Sequence, residues 1–131
     1  MIALDTNIII YALEAHPQFG QKASAILRNL RGNIAVSEII YLEFFSSSVF
    51  QDAALRDQSL AFLEEQGFDF VPTSKSVLLL AAELRAHNES RLDLGDALHL
   101  ASALYVGADT FITNDKALTE VKIKNLKITT L

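Results

Sequence analysis

The order of apolar segments predicts an α/β fold. Its centre is a mostly parallel sheet of four to five strands, with helices on both faces. Two observations carry this. Short apolar runs of strand length alternate along the chain with segments whose apolar residues recur at helical spacing. Strand-then-helix alternation of that kind builds a parallel sheet that is covered on both sides. The third observation is one of length: 131 residues suffice for one core, and no repeat, low-complexity tract or linker divides them, so residues 1–131 are read as a single domain.

The elements follow in order. Residues 2–5 (IALD) form a first buried strand, ended by the polar turn residues Thr6 and Asn7. A helix runs from about Ile8 to Glu14. Pro17 suits the first turn of a second helix, where Ala23, Ile26, Leu27 and Leu30 share a face and Gly32 is the stop. Residues 34–36 (IAV) are strand two. Ser37 is placed to cap the next helix, which carries Ile39, Ile40, Leu42, Glu43 and Phe44. Asp52 caps a helix to Gln66, ended by Gly67. Residues 68–71 (FDFV) are strand three, closed by Pro72. Ser74 opens a helix with Val77, Leu78, Leu80, Ala81 and Leu84 as its apolar face. Asp93 caps helix 94–106, which puts Asp96 at its third position. Residues 109–113 (DTFIT) are strand four, and 126–130 a fifth.

Composition narrows the function. No apolar run is long enough to span a bilayer. The apolar start lacks a basic leader and is broken by Asp5 and Asn7, so it reads as core and the expected location is the cytoplasm. The absence of cysteine excludes disulfides and thiolate metal sites. A net charge of −5 argues against a protein that coats nucleic acid, and less strongly against an enzyme that touches a few phosphates. Lys116, Lys122, Lys124 and Lys127 cluster near the C-terminus; solvated turn lysines and phosphate contacts are equal readings of them.

Four acids stand out: Asp5, Glu43, Asp96 and Asp115. Asp5 and Asp115 close apolar runs, at the carboxyl ends of strands where open parallel sheets keep their working sites. Glu43 and Asp96 lie in apolar helical segments, where a carboxylate is expensive to bury unpartnered. Glu43 is placed about two turns into its helix, so it reaches the others only if that helix leans over the sheet edge. Each acid has a plain alternative, as an Asx turn, a first-turn charge or a helix-surface carboxylate. As a set they point to a divalent cation, because crowded carboxylates repel. Oxygen-only ligands suit Mg²⁺ or Mn²⁺. His16, His87 and His99 are too scattered for a zinc site. His99, one turn after Asp96, is either a packed, satisfied histidine or a partner of that carboxylate. Asn7 and Thr113 are candidates to orient ligands. Asp93, three residues before Asp96 on the same face, either joins the site or only caps. No Ser–His–Asp set and no phosphate loop is present, which leaves metal-assisted hydrolysis of a phosphoester.

The residues D-T-N (Asp5 to Asn7), a Glu in a helix after V-S (Glu43), L-x-x-x-D-A-L-x-x-A (Leu92 to Ala101) and I-T-N-D (Ile112 to Asp115) resemble the PIN domain family along nearly the whole chain. The resemblance implies a PIN-like three-layer sandwich, an acidic pocket for Mg²⁺ or Mn²⁺, and cleavage of single-stranded or structured RNA. It carries Asp5, Glu43, Asp96 and Asp115 over as the metal and catalytic carboxylates. A chain this short is similar to toxin ribonucleases of VapC type, which implies a homodimer and a cognate antitoxin. Asn114 departs from the residue often found before the last Asp. Phe44, Phe45, Val49 and Phe50, and a leucine of the Leu78–Leu80 run, are candidates for a dimer or antitoxin groove, with core packing as the alternative. Competing readings are a non-catalytic PIN-like module that binds RNA or protein, and a receiver-like phosphate-handling domain. The latter lacks its paired acids, since Asp5 has no acidic neighbour, and a D-x-D phosphatase would need an acid where Asn7 stands.

Overall fold

The computed structural model describes residues 1–46, 51–88 and 92–131. Its elements are β1 (Ile2–Leu4), α1 (Thr6–Leu13), α2 (Gly20–Asn29), β2 (Ile34–Ser37), α3 (Ile40–Phe45), α4 (Ala53–Glu65), β3 (Asp69–Val71), α5 (Lys75–His87), α6 (Leu94–Tyr105), β4 (Thr110–Ile112), α7 (Lys116–Thr119) and β5 (Lys127–Thr129). The five strands form one sheet in the order β3-β2-β1-β4-β5, and every pairing is parallel.

Side chains alternate across the strands and divide the core in two. Ala3, Ala35, Val71 and Phe111 face α5 and α6. Leu4, Ile34 and Val36 face α1 to α4. Ala3 is in register with both Ala35 and Phe111. The two alanines leave room for α6, which buries Ala97, Leu100, Ala101, Ser102 and Ala103 close to the central strands.

Strand order positions the site. The chain winds outward from β1 to β2 and β3, then crosses back to place β4 on the other side of β1. The order reverses between β1 and β4, and the crevice at their carboxyl ends is where ligands bind in such sheets. Asp5 follows β1 there, and its N–H donates to the Ile112 carbonyl of β4 (2.9 Å).

Several expectations need correction. The second helix begins at Gly20, not at Pro17: the His16 ring accepts the Gln18 and Phe19 N–H groups at Nδ1 (both 3.1 Å) and holds those residues in a turn. Ser37 ends β2 and does not cap α3; its Oγ accepts only from Ile39 N–H (3.3 Å). Both Leu78 and Leu79 are exposed on α5, because its buried stripe is Val77 and Ala81. The short helix α7 escaped the apolar pattern, which four residues cannot display. Val49 and Phe50, expected in an aromatic run with the buried Phe44 and Phe45, lie outside the described residues. Asp52, Ser74 and Asp93 cap their helices as expected.

Candidate active site

Asp5 and Asp115 occupy the same local position, the residue before the first turn of a helix that follows a strand. They are used differently. Asp115 caps α7 in the ordinary way, accepting Ala117 N–H at 3.0 Å. Asp5 makes no side-chain cap bond. Its buried carboxylate instead accepts the Thr113 hydroxyl (2.7 Å), just beyond β4. The same Thr113 Oγ accepts Asp115 N–H (3.1 Å). One hydroxyl thus ties both corners together. Thr113, a candidate from the sequence, touches Asp5; Asn7 is exposed, and among the described residues no hydrogen bond joins it to the carboxylates.

Glu43 reaches the group from α3. That helix is only six residues long, so Glu43 lies in its first turn and not two turns in. It leans over the start of α6: a methyl group placed on Gly95 would come within 3.2 Å of Glu43 Oε2. Its Oε1 accepts from the Thr6 hydroxyl (2.8 Å) and from His99 Nε2 (2.5 Å). An ionised carboxylate only accepts, so Nε2 carries the proton. His99 Nε2 also lies 3.2 Å from Thr6 Oγ1 and 3.8 Å from Asp5 Oδ1. Of the two readings of His99, neither holds as it stood: the ring is packed, but its partners are Glu43 and Asp5, and among the described residues no hydrogen bond joins it to Asp96. Nor is the ring fully satisfied, since Nδ1 is buried without a partner among the described residues. Thr6, read from the sequence as a polar turn residue beside Asp5, is instead the first residue of α1, and its buried hydroxyl serves Glu43. Its signal was its place directly after Asp5, in a segment too apolar to leave its hydroxyl in water.

Electrostatics separate the acids. Burial alone would raise the Glu43 carboxyl, but the hydrogen bond and charge of His99, with the Thr6 hydroxyl, hold it below its usual value. Burial would lower the His99 imidazole, but Glu43, Asp5 and Asp96 raise it. Asp96 goes the other way. Burial first, then Asp93, Asp5 and Asp115, push its carboxyl up to about 6. Asp93 itself caps α6, accepting Asp96 N–H at 2.7 Å.

The fold thus brings all four acids to one end of the sheet, with Thr6, Thr113 and His99 bonded among them and Asp93 alongside. An all-oxygen donor set that raises the proton affinity of one member suits a hard divalent cation. Among the described residues, however, no three acidic or histidine side chains stand close enough to hold an ion as they lie.

Comparison with known proteins gives a consistent result. The sequence matches the PIN domain family model over residues 2–124. No curated protein matches it. The chain is similar to a solved structure of VapBC2 from Rickettsia felis bound to a DNA fragment from their promoter, at 26% identity and a TM-score of 0.74, covering 100% of this chain and 99% of that one. It is also similar to a toxin–antitoxin complex from Klebsiella pneumoniae (22% identity, TM-score 0.72, 96% and 95% covered) and to FitAcB from Neisseria gonorrhoeae (22%, 0.69, 89% and 89%). The last two likenesses concern the fold alone.

Proposed function

The chain belongs to the PIN domain family, and from that premise we propose that it is a Mg²⁺- or Mn²⁺-dependent endoribonuclease, the toxin of a toxin–antitoxin pair. The carrying observation is the convergence of acids from distant parts of the sequence at one end of the sheet: the Asp5 carboxylate is bonded to Thr113 beside Asp115, and Asp96, raised by burial first and then by Asp93, Asp5 and Asp115, lies among them. A fold gains nothing in stability from such crowding. A cation supplied to it would be held by Asp5, Asp96 and Asp115, with Glu43 alongside.

When bound, the metal lowers the pKa of a water and offsets charge at phosphorus. The chain's own residues do the rest. Thr113 fixes the rotation of the Asp5 carboxylate. Thr6 and His99 hold Glu43 ionised and turned inward. Asp93 and Asp115 anchor the starts of α6 and α7.

The antitoxin partner is inferred from the complexes named above, and a homodimer and a cytoplasmic setting belong to the same reading. No helix among the described residues is long and apolar enough to cross a membrane. Family membership displaces the receiver-like and phosphatase readings. The alternative is a PIN-like module that binds RNA or protein without cutting; among the described residues no three-ligand cluster stands ready-made.

Cleavage of a fluorophore-quenched single-stranded RNA decides between them. The expected result is cleavage that needs Mn²⁺ or Mg²⁺, stops with EDTA, and falls at least about a hundredfold in Asp5→Asn while the melting curve is kept. Millimolar Mn²⁺ should also raise the melting temperature of the wild type by linkage. Full activity in Asp5→Asn would refute the role given to Asp5.

A further inference from the structure

A cluster of carboxylates is a poor place to bind RNA, because the phosphodiester backbone carries the same sign of charge. Binding must be supplied elsewhere. Residues 1–115 hold fifteen acidic and seven basic side chains; residues 116–131 hold one acidic and four basic. The four are Lys116, Lys122, Lys124 and Lys127. All are exposed, and among the described residues none forms an ion pair.

Three of the other cations are engaged, while Lys22, Arg28 and Lys75, like the four lysines, form no ion pair among the described residues. Arg31 donates to the Glu65 carbonyl, Arg56 pairs with Asp57, and Arg85 donates to the Leu92 carbonyl. Asp109, whose backbone carbonyl accepts Lys127 N–H, turns its carboxylate to the Met1 amine (3.8 Å) and the Thr110 hydroxyl (2.9 Å).

The lysines also run in one direction. Lys116 directly follows Asp115, at the carboxyl end of the sheet. The chain then descends to the amino end of β5, where Lys127 is in register with Thr110. The Ile123–Leu126 bridge and a left-handed Asn125 (φ 67°) fix the turn between them. Lys122, Lys124 and Lys127 line an open hollow of about 550 Å³, together with Ile123 and Ile128.

We infer that this lysine strip along the outer edge of the sheet binds the phosphate backbone of single-stranded RNA and leads it to Asp115. The identity of the polyanion rests on the nuclease reading above. Lysine contacts of this kind position a strand without reading its sequence.

The test is fluorescence anisotropy of a short labelled single-stranded RNA with the full chain in EDTA, over a range of KCl. Replacing Lys122, Lys124 and Lys127 together by Glu should weaken binding at least about tenfold at low salt. It should also flatten the slope of log affinity against log salt by about 2, from three phosphates at about 0.7 each. The triple Arg variant should bind like the wild type, and the triple Gln variant should fall between. Matching melting curves show that the variants are folded; if the Glu triple is not, the Gln triple carries the same comparison. RNA binding by the charge-altered variants with an unchanged salt slope overturns the strip and leaves the nuclease reading standing. Failure of every protein, wild type included, to bind or cut RNA overturns both. Loss of binding to polyglutamate with RNA binding intact also overturns it, and makes the strip a contact for an acidic polypeptide.

Discussion

The two sides of the candidate site hold their negative charge in opposite ways. On one side Glu43 meets a buried imidazole and a hydroxyl, and its carboxyl is kept below the usual value. On the other side Asp96 is pushed up to about 6 by burial first and then by Asp93, Asp5 and Asp115. The first side pairs its carboxylate by hydrogen bonds within the protein. On the second, the charge of His99 only partly offsets burial and the neighbouring acids. In the reading proposed above, a cation would sit on the Asp96 side, beside the Glu43–His99 pair.

The contrast can be broken from the Glu43 side first. His99→Leu removes the hydrogen bond and charge that hold Glu43, and should cost about 1.5–3 kcal/mol by urea unfolding. Its pH dependence has a definite sign. The His99 imidazole is raised in the fold, so its contribution is full below its ordinary value near 6.5 and is lost as pH rises through the raised value. The gap between wild type and His99→Leu should therefore shrink toward alkaline pH. A gap that widens there would contradict the assignment.

Thr113→Val tests the bridge between the sides. It strips a hydroxyl from both Asp5 and Asp115 N–H. A loss of about 1 kcal/mol is expected, with a weaker Mn²⁺-induced shift in melting temperature. An unchanged shift would mean that Asp5 needs no such orientation.

Asp96→Asn gives the smallest effect and the opposite sign. A carboxyl whose proton affinity is raised by folding destabilises the native state once the unfolded chain can ionise, so its penalty builds as pH rises from the ordinary value of 3.8 to about 6 and is full above that. Removing the charge should stabilise the metal-free protein at pH 8 by about 0.5–1 kcal/mol after solvent screening, by roughly half of that at pH 5, and by little near pH 3. The same variant should lose most of its response to Mn²⁺. Destabilisation at pH 8 would mean that Asp96 is held by contacts outweighing the crowding.

Much of this arrangement was legible in the sequence. Five apolar runs gave the five strands, because strands buried on both faces need nothing but short apolar stretches. Asp5 and Asp115 could be placed at strand ends because Asp5 directly follows such a run and Asp115 comes just after one, past Thr113 and Asn114. What was not legible lies in contacts between distant residues. Thr6, Glu43 and His99 are separated by 37 and 56 positions, and no periodicity links them. Nor could the sequence distinguish Asp5 from Asp115, since both sit before a helix and only the position of Thr113 decides which carboxylate caps. The early placement of α2 failed for a similar reason: Pro17 suits a first turn, but the His16 ring competes for the same N–H groups.

The placement of β4 beside β1 has a consequence for synthesis. The first strand emerges from the ribosome long before its neighbour on that side, and Asp5 waits for Thr113, 108 positions later, to orient it. Loop closure over that span comes late in folding. Asp5 therefore gains its fixed orientation only after residue 113 has emerged and β4 has docked beside β1.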